Sequence, residues 1–222
     1  MVSVADPHAR GVRVFRWFVF VLAAVYVLRQ FWFMADYSAP GGPFRYLTLW
    51  ALLLSFVSAG LMLAVSERRS QRNWGTWVAV TAVTNGLVVM LYWRLWFADP
   101  ALVNSGGPIV WYVEYYLHLS GPLLQWIDAL VIFGMFRRFL PALTGLAGVV
   151  VGYVAWIELF VGPFNSRPEG SVTTGLPYPF LNSMVWDERL GFYVTTAVSA
   201  LIFLVIFWAL SWASRRVFGR KT

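Results

Sequence analysis

Six apolar runs of about twenty residues each, set apart by short polar or Pro/Gly-rich linkers, leave this chain few folds to choose from. A helix needs about 20 mainly apolar residues to cross the hydrocarbon of a bilayer. Inside that layer every backbone N–H and C=O must find a partner, and a helix supplies one within its own segment. The runs lie at about 15–35, 45–65, 74–97, 111–136, 142–162 and 190–213. Between them fall Ala39-Pro40-Gly41-Gly42-Pro43, the polar stretch Ser66 to Asn73, the segment from Asp99-Pro100 to Pro108, Arg137-Arg138 with Pro141, and a long linker over 163–189. The expected fold is therefore all-α: a polytopic membrane protein with six transmembrane helices. No polar stretch is long enough to build a second core, so residues 1–222 read as one transmembrane helical domain. Composition agrees, with 59% hydrophobic and only 12% charged residues where soluble domains carry about 25% charged.

The first run follows Arg10, Arg13 and Arg16, as a signal peptide would follow its basic region. It is long and aromatic-rich, however, and has no small-x-small cleavage pattern, so it reads as a retained helix. The basic residues then set the orientation. Arg10, Arg13, Arg16, Arg68, Arg69, Arg72, Arg137, Arg138, Arg215, Arg216, Arg220 and Lys221 fall on one side of the membrane, twelve of the 17 Lys and Arg. The other side has Arg167 and Arg189 in its loops, while Arg29, Arg45 and Arg94 lie in spans or at their ends. An excess of Lys and Arg marks the cytoplasmic side. Both termini are expected there, which requires an even number of spans. The dominance of Arg and the compact chain point to a bacterial plasma membrane.

Several chemistries are excluded at once. There is no cysteine, which removes thiol catalysis, disulfides and iron–sulfur ligation. The net charge of +7 is spread in clusters between apolar runs rather than gathered on a soluble module, so it reads as topology and not as nucleic-acid binding. His118 is the one histidine within the spans, whereas a bis-histidine haem or a catalytic zinc needs at least two such ligands. The only lysine, Lys221, is in the tail, so a retinal Schiff base has no place to form. No metal and no cofactor is expected, and nothing in the sequence specifies an oligomeric state.

Ionisable groups at membrane depth are costly, which makes each one a site candidate. They are Arg29, Arg94, Glu114, His118, Asp128 and Glu158, with Asn85 as a neutral companion. Arg29 and Arg94 lie close enough to the outer ends to snorkel. Glu114 begins its helix, where a carboxylate suits the N-terminal dipole. Asp128 and Glu158 are read as protonated or paired with another helix. His118 is left with general acid–base work or a structural hydrogen bond. Thr48 lies about one turn inside the outer end of span two and His118 about two turns inside that of span four, so both belong to the outer half of the bilayer. That arrangement permits a Thr–His pair; it equally permits a threonine that merely bonds back to a carbonyl.

Phe44-Arg45-Tyr46-Leu47-Thr48 resembles the start of span two in the androgen-induced protein family. That family also takes in the androgen-dependent TFPI-regulating protein and prokaryotic six-helix relatives. Tyr92-Trp93 running to Asp99 resembles the end of its third span, and Leu117-His118 with Pro122 and Asp128 its fourth. Val151-Gly152-Tyr153 with Trp156, followed by Tyr178-Pro179-Phe180-Leu181, resembles its Val-Gly-Tyr…Trp and Tyr-Pro-Phe-Leu pair. The matches keep their order across spans two to five. This chain departs from the pattern in a longer loop before Tyr178, a one-residue displacement of Pro122, and the absence of histidines after span five.

The resemblance implies a membrane-embedded threonine hydrolase of fatty acid esters of hydroxy fatty acids, with Thr48 as nucleophile and His118 as base. A lipid substrate would enter from the bilayer, its free carboxylate meeting Arg45 or Arg94. Tyr178, Asn85 and the backbone at the start of span two are the candidate oxyanion donors. No orienting acid is apparent. Asp128 stands ten residues past His118, about 15 Å along a straight helix, and Glu114 lies one turn before it on the same face. The competing class is a small transporter or lipid-binding protein with His118, Asp128 and Glu158 along a polar path. A rhomboid-type protease would carry Gly-x-Ser at a helix start, and that triplet occurs nowhere in the chain.

Overall fold

The computed structural model describes residues 4–103, 110–134, 136, 138–166 and 175–218. Arg137, Arg167, Arg220 and Lys221, used above to orient the chain, lie outside the described residues, as does part of the linker before Pro108. Six helices are long and apolar enough to cross a membrane: α1 (Arg10–Phe33), α2 (Leu47–Ser66), α3 (Gly75–Ala98), α4 (Trp111–Phe133), α5 (Phe139–Phe164) and α6 (Trp186–Val217). Among the described residues there is no strand. The six expected spans are all present, but α1 begins before its apolar run and α6 extends beyond its own at both ends. Counting apolar residues stops at a charge, whereas a helix continues through charges into the headgroup layer. Asp187 and Glu188 in the first turn of α6 also suit its positive end.

α3 is the hub, packing against α2, α4, α5 and α6. Every residue from Val78 to Val88 is buried, so the middle of this helix has no lipid-facing stripe. Small residues at Ala79, Ala82 and Gly86 let its neighbours approach; a Cβ on Gly86 would already touch Phe203 and Phe207 at 3.4–3.5 Å. Close packing of this kind, rather than a hydrophobic force between helices, holds a bundle together in lipid. α1 stands at the edge against α2 and turns Phe18, Val21, Val25 and Leu28 outward.

Both ends of the described chain meet at one end of the bundle. The Val4 and Ala5 amides donate to the Ile132 carbonyl, and Ser66 Oγ donates to the Pro7 carbonyl. Arg215 donates to the Gly134 carbonyl and Ser214 to that of Leu130. The turn before α2, the Glu114 end of α4 and the loop ahead of α6 gather at the other end. His118, Asp128 and Glu158 each sit in a π-helical turn, at Tyr116–Ser120, Ile127–Phe133 and Ile157–Val161. Such widened turns often occur at functional positions.

Candidate active site

Thr48 is held by the turn that delivers the chain into α2. Gly41 has φ +78, and a Cβ there would meet Val161 Cγ2 at 2.9 Å, so only glycine fits the reversal. A 3₁₀ turn over Gly42–Arg45 follows, and α2 begins at Leu47. The carbonyls of this turn are capped by ring donors: Trp50 Nε1 and Trp156 Nε1 donate to Phe44 O at 2.9 and 3.1 Å, and the Tyr153 hydroxyl donates to Arg45 O at 2.9 Å. The Leu47 amide, one of the orphan donors of a first turn, donates to the Tyr178 hydroxyl oxygen at 3.0 Å. Thr48 is thus the second residue of a 20-residue helix, where the helix dipole favours negative charge.

His118 is placed by a break in α4. Pro122 has no N–H and its ring crowds the carbonyl four residues back, which is that of His118. The π-helical turn Tyr116–Ser120 accommodates the ring, and Trp93 Nε1 donates to the freed His118 carbonyl at 2.8 Å. Gly121 is required beside it, because a Cβ would lie 2.8 Å from the Tyr116 carbonyl oxygen. The imidazole stacks on Tyr92 with ring centroids 3.5 Å apart and planes within 5°. Its Nδ1 lies 3.1 Å from the Glu114 carbonyl oxygen and 3.2 Å from Glu114 Oε2. Both partners are acceptors, so they select the tautomer with the proton on Nδ1. Nε2, left as an acceptor, faces Thr48 Oγ1 at 3.3 Å. That is a long hydrogen bond, as resting catalytic pairs often show.

The pair opens on a cavity of about 450 Å³, within the range of small-molecule sites. Leu52, Leu87, Leu91, Leu95, Val150 and Phe192 give it an apolar wall; Arg45, Glu114 and Tyr178 supply polar groups. Thr48 and His118, which their depth permits to meet and the resemblance pairs, are in contact, and Arg45 and Tyr178 line the same cavity. Arg45 stands over the Tyr46 ring at 4.9 Å, with Nη1 3.7 Å from Asp36 Oδ2. Hydrogen bonds from Ser38 hold the Asp36 carboxyl below its ordinary range.

Arg94 is not brought to this site: its side chain is exposed, and it does not line the cavity. Asn85 lies behind the wall, donating to Ser55 Oγ at 2.8 Å, while Gln125 donates to the Ser55 carbonyl at 3.0 Å. Asp128 is far from His118 and takes a two-pronged ion pair from Arg16, at 2.7 Å to Oδ1 and 2.9 Å to Oδ2. Arg16, expected as a cytoplasmic flank, is only 1% exposed. Glu158 likewise accepts from Arg189 at 3.1 Å and from the Tyr193 hydroxyl at 2.6 Å, so Arg189 is a partner within the bundle rather than a loop charge. His118, Asp128 and Glu158 do not form a continuous path, because neither carboxylate lines the cavity. Among the described residues no three His, Asp or Glu side chains are grouped to hold a metal ion.

Six helices long and apolar enough to cross a membrane, enclosing an apolar cavity with Thr48 and His118 in its wall, define a class: an integral membrane protein of all-helical fold. The sequence model of the FAR-17a/AIG1-like protein family matches residues 14–215, and the chain belongs to that family. No curated protein and no solved structure matches it.

Two contributors to the site carried local signals. The Glu114–His118 spacing is one helical turn, and Pro122 stands four residues after His118, the distance at which proline frees a carbonyl. Tyr92 and Trp93, which stack on the ring and cap that carbonyl, reach His118 from another helix, and nothing local announces them.

Proposed function

We propose that the protein is an intramembrane lipid ester hydrolase that cleaves fatty acid esters of hydroxy fatty acids through Thr48 and His118. What carries the reading is one contact: Thr48 Oγ1 lies 3.3 Å from His118 Nε2, while Nδ1 is occupied by Glu114. A threonine hydroxyl is a weak nucleophile until a base takes its proton.

His118 Nε2 accepts the Thr48 proton as Oγ1 bonds to the ester carbonyl carbon, and the C=O π pair moves to oxygen. The tetrahedral intermediate collapses, re-forming C=O and breaking the bond to the alcohol oxygen. That oxygen takes the proton from Nε2 and departs as the hydroxy fatty acid, leaving the acyl group on Thr48. Water then gives its proton to Nε2 and attacks the acyl carbon; collapse releases the fatty acid and returns the proton to Thr48. The proton on Nδ1 stays in place throughout. Glu114 orients the ring and offsets the imidazolium charge that forms twice in each cycle.

The cavity suits two acyl chains, and Arg45, three residues before Thr48, meets the free carboxylate of the hydroxy acid. The excess of basic residues on one side supports cytoplasmic termini. On that orientation the reacting pair lies in the outer half of a bacterial plasma membrane, all six helices acting as one domain with the lipid entering from the bilayer. The test is turnover of a branched fatty ester by purified protein. Thr48→Ala and His118→Ala should each abolish it; wild-type turnover in either variant would refute the mechanism.

A further inference from the structure

We propose that the Tyr178 hydroxyl donates the hydrogen bond that holds the oxyanion of the tetrahedral intermediate. This rests on the hydrolase reading and deepens it. Attack by Thr48 places a full negative charge on an oxygen one bond from the carbon that Oγ1 has joined. In an apolar chamber that charge needs a fixed donor, and such donors are among the largest contributions to acyl-transfer rates.

Tyr178 stands where that oxygen forms. It lines the cavity with Thr48 and Tyr153. A phenol has one proton and two lone pairs. The Leu47 amide donates to one lone pair at 3.0 Å, which strengthens the O–H as a donor. Tyr153 sends its own proton to Arg45 O and is thereby committed to the backbone. Asn85 and Gln125 are committed to Ser55, and the two Trp indoles to Phe44 O. Tyr178 thus keeps an O–H to offer in the cavity it shares with Thr48, beside the backbone amide of Thr48 itself in the first turn of α2.

The loop that presents Tyr178 is built rigidly. Asn182 is fully buried and clasps Leu176 in both directions, accepting from its amide at 3.0 Å and donating to its carbonyl at 2.7 Å. The Tyr178 ring packs edge-on against Tyr46 at 5.5 Å and lies at the same distance from Phe180. A donor fixed before the charge appears needs no reorganisation at the moment of reaction. Burial also pushes the Tyr178 hydroxyl up to about 12, so it keeps its proton throughout the pH range in which an ester hydrolase works.

The test uses full-length protein in lipid nanodiscs, a long-chain fatty ester of a hydroxy fatty acid, and a long-chain alkyl trifluoromethyl ketone. Thr48 Oγ1 adds reversibly to the ketone carbon, its proton passes to His118, and an oxyanion forms without a leaving group. Tyr178→Phe is expected to lower kcat by about 10²–10³-fold and to weaken the ketone by a similar factor. KM and product affinity should stay close to wild type, a split that a merely structural role would not give, while Tm falls modestly because the Leu47 amide loses its acceptor. Unchanged kcat and ketone affinity would overturn the proposal, as would product affinity falling in step with kcat. If Tyr178→Phe does not fold, 3-fluorotyrosine at position 178 keeps the hydroxyl but makes it more acidic. The alkaline loss of ketone binding should then move to lower pH, and an unmoved profile overturns the proposal. Failure of the hydrolase reading looks different, since turnover would then survive Thr48→Ala whatever stands at position 178.

Discussion

Replacing Asp128 should cost stability and leave the chemistry alone. Arg16 uses its whole guanidinium fork: Nε and Nη2 donate to Asp128, and Nη1 donates to Met62 O and Ser66 Oγ, both at 3.0 Å. Asp128→Ala strands a cation that is 1% exposed and removes its carboxylate partner. Breaking one side of a buried pair in this way destabilises by about 3–5 kcal/mol, or of order 10 °C in Tm for a chain of this size. Replacing both partners, Arg16→Met with Asp128→Leu, should recover most of the loss, because an apolar pair has no charge to desolvate. The assay is a double-mutant cycle on thermal unfolding in detergent, with turnover measured per folded molecule. Asp128→Ala with unchanged Tm and abolished turnover would refute this reasoning and return Asp128 to the chemistry.

Glu114→Gln should lower kcat by about 10-fold and not by the full value of the base, because the Glu114 carbonyl still holds Nδ1 at 3.1 Å; steady-state kinetics showing a loss equal to that of His118→Ala would contradict it. Arg45→Met should raise KM by about 10–100-fold for a substrate with a free carboxylate, the worth of a charge-assisted hydrogen bond, and leave its methyl ester unaffected. Equal effects on acid and methyl ester would remove Arg45 from substrate binding. Gly121→Ala forces a Cβ to 2.8 Å from the Tyr116 carbonyl and should destabilise by about 1–3 kcal/mol while reducing turnover through His118; wild-type Tm would show that the turn relaxes freely.

Much of the architecture was legible because lipid imposes a length on every span, and hydropathy reports length directly. Span ends were less so: Arg10 to Arg16 and Asp187 to Arg189 are helical although charged. For the same reason Arg16 reads as a flank in sequence, yet it is the partner of Asp128 across 112 positions. That pairing follows from two depths coinciding, which requires knowing which helices touch. Within the site, Thr48 and His118 could be given a common depth but not a common wall. Their contact depends on α2 and α4 both packing against α3, and on aromatic donors from α5 and the Tyr178 hydroxyl, which accepts from the Leu47 amide, fixing the entry to α2. Arg94 shows the converse, since its depth suited a substrate cation but its face of α3 points away from the cavity.

The most direct measurement is the site of covalent capture by a lipid-like fluorophosphonate on intact protein, mapped by peptide mass spectrometry. The phosphonyl group is expected on the Thr48 peptide, with labelling lost in His118→Ala and in denatured protein. Absence of labelling in the folded protein, or an adduct elsewhere while Thr48→Ala still hydrolyses ester, would contradict a threonine–histidine hydrolase.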